Sequence, residues 1–80
     1  MKYYIIKPRS AECDNDLLSR IAEIDTSVTL VEDINDADIC VLQKGFSKSK
    51  IAVNEYLYAI EHGIKCVEQY MYDKVSVKLN

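Results

Sequence analysis

Apolar positions along this chain fall alternately into short runs and helical stripes. Tyr3 to Lys7 is an apolar run closed by Pro8, which predicts a buried first strand and a turn. Asp14 or Asn15 can then cap a helix whose apolar positions Leu17, Leu18, Ile21 and Ala22 share a face. Ser27 to Val31, rich in β-branched residues, predicts a second strand, and Ile39 to Leu42 a third. The acidic stretch Glu32 to Asp38 between them is too short for a long helix and reads as a solvated connection, although Asp38, at a strand start, can also turn into a cleft. A second helix is expected from about Ser49 to His62, with Val53, Leu57 and Ile60 on one face and Ala52, Tyr56 and Ala59 beside it. Gly63 ends it as a C-cap, Ile64 to Val67 supplies a fourth strand, and the alternating Val75 to Leu79 is a candidate fifth strand or subunit contact.

Strand, helix, strand, strand, helix, strand predicts a compact α/β domain, Rossmann-like or flavodoxin-like. Its mainly parallel sheet would have four to five strands with flanking helices, strands one, three and four central. Residues 1–80 are then a single domain. Ligands of such sheets sit outside the carboxyl ends of the strands. That rule puts Pro8, Arg9, Ser10, Lys44, Gly45, Phe46, Ser47 and Ser49 on one rim. The segment from Gly45 to Glu55 is the most informative in the chain, because it leaves a strand, turns on a glycine and opens a helix. A helix start attracts anions, Ser47 and Ser49 add hydroxyls, and Lys44, Lys48 and Lys50 add positive charge. Glu55 is the one acid there, with the small Ala52 and Ala59 about one turn away on either side. The plain alternative is a capped surface helix with a solvated glutamate.

Composition narrows the function classes. With 80 residues, 49% of them apolar and 29% charged, the chain is globular and near the size at which oligomerisation often completes a core. A net charge of -3 gives no electrostatic reason to expect nucleic acid. No apolar run approaches a membrane span and the first residues are too short for a signal peptide, so a cytoplasmic location is expected. Cys13, Cys40 and Cys66 lack the spacing of a metal site, and Cys40 and Cys66 read as small buried hydrophobes. His62, just before Gly63, reads as a partner for the helix end. No metal and no cofactor is called for, since the dinucleotide, P-loop, hydrolase-elbow and zinc-peptidase signatures are all missing.

Three segments together resemble the nucleoside 2-deoxyribosyltransferase-like family. They are Tyr4-Ile5-Ile6-Lys7-Pro8, Asp36-Ala37-Asp38 before an apolar strand, and above all Gly45 to Glu55 followed by Ala59 and Gly63-Ile64-Lys65-Cys66-Val67. Most of the chain is covered, and the central segment carries the specificity. Ile51 stands where the pattern has glycine, Phe46 where it has tryptophan, and Lys7 where it has a small residue. The resemblance implies a small, reduced bacterial or phage-type member that binds a nucleoside or nucleotide. Glu55 would be the nucleophile of N-glycosidic transfer or cleavage, Tyr4 and Asp38 supporting residues, and Ser49 a phosphate or sugar ligand. It also implies a homodimer. Catalysis and binding without turnover both stay open, as does an accessory protein that sequesters a nucleotide signal or contacts a protein partner through Tyr56, Tyr58, Tyr70 and Tyr72.

Overall fold

The computed structural model of the chain describes residues 1–72. Four strands, β1 (Lys2–Ile6), β2 (Thr29–Leu30), β3 (Ile39–Leu42) and β4 (Lys65–Glu68), form one sheet in the order β2-β1-β3-β4, and every neighbouring pair is parallel. Helix α1 (Asn15–Ile24) joins β1 to β2, and α2 (Lys50–Glu61) joins β3 to β4. This is the α/β architecture expected, with four strands. The candidate fifth strand, 75–79, lies outside the described residues.

Alternation along the strands divides the apolar residues between two cores. Tyr3, Ile39 and Val41 pack with Leu17 and Ile21 of α1, whereas Ile6, Cys40 and Leu42 pack with Ala52 and Ala59 of α2. Strands buried on both faces explain why β1 and β3 read as continuous apolar runs. β4 departs from that reading. Among the described residues it is an edge strand, with both ends exposed and its middle half-buried, so β1 and β3 alone are central.

Helix termini follow local chemistry. The Asp14 carboxylate accepts from the N–H groups of Asp16 and Leu17, and the Ser49 hydroxyl accepts from Ala52 N–H at 3.3 Å. Gly63, at φ 70°, closes α2: its N–H donates to Ile60 and that of Ile64 to Ala59, a pairing that a left-handed residue makes possible. Gly45, at φ 89°, turns the chain out of β3 into a short 3-10 turn, Phe46–Lys48.

The faces of both helices differ in part from expectation. Ala22 of α1 is exposed. On α2 the buried stripe is the small one: Ala52 and Ala59 are fully buried, while Leu57 and Ile60 are 50% and 51% exposed. Small side chains let the helix lie close to Ile6, Cys40 and Leu42, which leaves its larger apolar residues no room underneath. β2 is also shorter than the β-branched run from Ser27 to Val31. Asp25 accepts from Ser27 N–H at 3.0 Å, and that turn delays pairing until Thr29.

Candidate functional site

The connection from β2 to β3 shapes the site. It must cross β1 to reach the far side of the sheet, and it does so on the α2 face, where Ile34 and Ala37 join the core. In doubly wound sheets such a crossing is usually made by a helix. Here it is a 3-10 turn, Ile34–Asp36, so β1 is left partly uncovered beside α2.

Tyr4 and Glu55 meet in that opening. Tyr4 is the middle residue of β1 with its side chain toward α2, and Glu55 lies in the second turn of α2; the phenol donates a hydrogen bond to the Glu55 carboxylate. Burial, then this hydrogen bond and the carboxylate's charge, push the Tyr4 phenol well above its ordinary value, while the Arg9 guanidinium partly opposes the shift. Tyr4 therefore stays a donor throughout the neutral range and holds one carboxylate oxygen of Glu55 in place.

Two depressions flank the pair. A cleft of about 560 Å³ is lined by Tyr4, Lys7, Arg9, Leu30, Glu32 and Glu55, among others, and a groove of about 390 Å³ by Arg9, Ile34, Asn35, Ile51, Asn54, Glu55 and Tyr58. Only Arg9 and Glu55 belong to both. The Lys7 ammonium donates one hydrogen bond to the Ala11 carbonyl at 2.7 Å. Arg9 makes no hydrogen bond or ion pair with a described residue. On the far wall, the Tyr58 hydroxyl donates to Asn35, and its ring stacks on His62 at a centroid distance of 3.9 Å.

The residues expected on one rim are divided. Of them, Arg9 alone lines the depressions beside Tyr4 and Glu55. Gly45, Phe46 and Ser47 instead line a separate cleft of about 260 Å³ at the carboxyl ends of β3 and β4, with Glu68 and Tyr70. Two of its lining residues, the buried glutamines Gln43 and Gln69, form a clamp. Gln43 accepts from Asp14 N–H and donates to the Glu12 carbonyl, both at 3.0 Å, while Gln69 accepts from Lys44 N–H at 2.6 Å and donates to the Asp14 carboxylate at 2.8 Å. The Gln69 amide, with the backbone donors of α1, holds the Asp14 carboxyl below its ordinary value. Pro8 borders neither depression beside Glu55, and its carbonyl accepts from Ala11 N–H. Ser49 is occupied as the cap of α2.

Asp38 is not brought to Glu55. It precedes β3, at the amino end of the parallel sheet, where its carboxylate accepts from Lys2 N–H at 2.9 Å. The second carboxylate in the cleft is Glu32, which the sequence reading left in a solvated connection. Asn54, and Tyr58, expected as a protein contact, line the adjoining groove, because both lie on the helix flank that carries Ile51 and Glu55.

Cys40 and Cys66 are opposite each other in the β3–β4 register, and burial pushes the Cys40 thiol up to about 12. Among the described residues no group of three His, Cys, Asp or Glu is arranged to hold a metal ion. No helix among them is long and apolar enough to cross a membrane. Comparison with known proteins returns no protein-family model, no curated protein and no solved structure that matches the chain.

Proposed function

We propose that the domain binds a nucleoside or nucleotide in the cleft beside β1 and α2, with the Glu55 carboxylate directed at the sugar. The observation that carries this reading is the Tyr4–Glu55 hydrogen bond, which fixes a carboxylate at the wall of an open, charged cleft instead of leaving it solvated on the helix surface. A positioned, ionised carboxylate is what nucleophilic displacement at an anomeric carbon requires. In turnover, a Glu55 oxygen bonds to the anomeric carbon, and the electron pair of the carbon–nitrogen bond leaves with the base, which takes a proton from water. The hydroxide left behind attacks the same carbon and restores the carboxylate. Glu32, Asn35 and Asn54 supply polar groups for sugar and base.

The test is base release followed by chromatography, beside calorimetric binding, for wild type, Glu55→Gln and Tyr4→Phe. A catalytic domain loses base release in Glu55→Gln while binding persists, because the amide is a poor nucleophile. A binding module shows no release in any form and only a modest change of affinity. If no nucleoside or nucleotide binds the wild type, the reading is wrong.

One observation favours a second reading. Leu57 and Ile60 on the outer side of α2, and Tyr70 and Met71 beyond β4, are about half exposed, which suits contact with a second copy or another protein. Light scattering at micromolar concentration checks the homodimer, and a stable monomer removes it.

A further inference from the structure

We propose that Cys40 and Cys66 are a reversible disulfide site, closed by a peroxide, that ties the edge strand β4 to β3 across the connection carrying α2.

The sheet sets the pair. Cys40 and Cys66 are register partners in β3 and β4, and both face α2 in the same core cluster. Neighbouring strands run about 4.8 Å apart, within the range of roughly 4.4–6.8 Å that a disulfide spans between Cα atoms. Register partners in a parallel pair also point their side chains to the same face, so the two sulfurs share the space under the helix. Both are free thiols, and the third cysteine, Cys13, is exposed in the loop between β1 and α1.

The two thiols differ in access. Cys40 is fully buried, whereas Cys66 is half-buried and lines a depression of about 360 Å³ with Tyr56, Tyr70 and Met71. A small oxidant meets Cys66 from this side before it meets Cys40. Burial pushes both thiols up, Cys40 to about 12, but at Cys66 the hydrogen bond from the Cys40 thiol works against that rise. Cys66 is therefore the attacking sulfur and Cys40 the resolving one.

The Cys66 sulfur takes one hydroxyl of hydrogen peroxide; the O–O bond breaks, and the other hydroxyl leaves as water with the thiol proton. Cys66 is then a sulfenic acid. The Cys40 sulfur bonds to that of Cys66, the S–O bond breaks, and the hydroxyl leaves as a second water with the Cys40 proton. Two thiols have given up two electrons, and one peroxide has become two waters.

Topology gives the bond its effect. Among the described residues β4 is an edge strand paired only with β3. A strand held by one ladder of hydrogen bonds opens more readily than a central one. Joining Cys40 to Cys66 closes a loop that contains all of α2, so the edge is held covalently as well. The bond requires no ligand in the Tyr4–Glu55 cleft.

The test uses the full chain carrying Cys13→Ser, in which the two strand cysteines are the only thiols left. Hydrogen peroxide is expected to take the thiol count under denaturing conditions from two to none, with the loss of two hydrogens in mass and a digestion product joining Cys40 to Cys66; dithiothreitol restores both thiols. In the oxidised form the β4 amides that bond to β3 exchange hydrogen at least about tenfold more slowly. With Cys66→Ser added, the Cys40 thiol survives the same exposure. Both thiols left intact, oxygen added to Cys66 with Cys40 still a thiol, or a bond formed only between chains overturns the site. Equal exchange in the two forms overturns the tie to the edge strand, and oxidation of Cys40 in the absence of Cys66 overturns the order of attack.

Discussion

The two clefts of this domain differ in how their polar side chains are used. At the carboxyl ends of β3 and β4, Gln43, Gln69 and Asp14 form a closed circuit with the backbone of Glu12, Asp14 and Lys44. Beside β1, Tyr4 and Glu55 form one bond, and Arg9 is left facing solvent. A circuit whose members satisfy one another ties together the entry to α1, the turn after β3 and the end of β4. A pair with an unspent cation beside it holds nothing else in place and is available to a ligand. The glycine, aromatic and serine positions of the Gly45 segment, which look like a ligand loop in sequence, belong to the closed region.

The largest expected effect breaks the clamp. Gln43→Leu leaves the Asp14 N–H and the Glu12 carbonyl without partners, and each unmade buried bond costs on the order of 1–3 kcal/mol. A loss of about 3 kcal/mol by urea unfolding is expected, with ligand affinity nearly unchanged. If Gln43→Leu instead removes ligand binding without loss of stability, the roles of the two clefts are reversed. Asp14→Ala comes next, removing both the cap of α1 and the partner of Gln69, for a loss of roughly 1–2 kcal/mol. Tyr4→Phe is expected to cost no more than about 1 kcal/mol, because Glu55 regains water in the open cleft. The same change should weaken ligand binding, and a large stability loss with unaltered binding would make the pair structural.

pH separates the two regions with the smallest signal. The Asp14 carboxyl lies below its ordinary value of 3.8, so its contribution is present above that pH and is lost as pH falls through the folded-state value. The Tyr4 phenol lies above its ordinary value of 10.0, so its contribution is complete below that pH and is lost as pH rises through the folded-state value. Tyr3 acts in the same direction, pushed up to about 12 by burial and its hydrogen bond to Asp25. Melting temperature followed against pH should therefore show Asp14→Asn flattening the acid limb and Tyr4→Phe flattening the alkaline limb. An alkaline limb unchanged in Tyr4→Phe would assign it to Tyr3 and the cysteines instead.

What local chemistry could decide was legible in the chain. The apolar runs at Tyr3 to Ile6 and Ile39 to Leu42 required strands covered on both faces, Asp14 and Ser49 required helix starts, and Gly45 and Gly63 required turns. Each of those signals is carried by residues within a few positions of one another, so a parallel α/β sheet followed from sequence. Three other features depended on which elements lie side by side. Ala52 and Ala59 rather than Leu57 and Ile60 face the sheet because the helix can approach closely only on its small side. Asp38 and Glu55 are both acids near apolar strands, yet the parallel sheet sends Asp38 to its amino end and leaves Glu32 as the second carboxylate of the cleft. Tyr4 and Glu55 are 51 positions apart and become partners only because a short β2–β3 connection crosses β1 without covering it. Periodicity records which residues seek burial, but the space left open between elements is a property of their packing, and that space is where the candidate site lies.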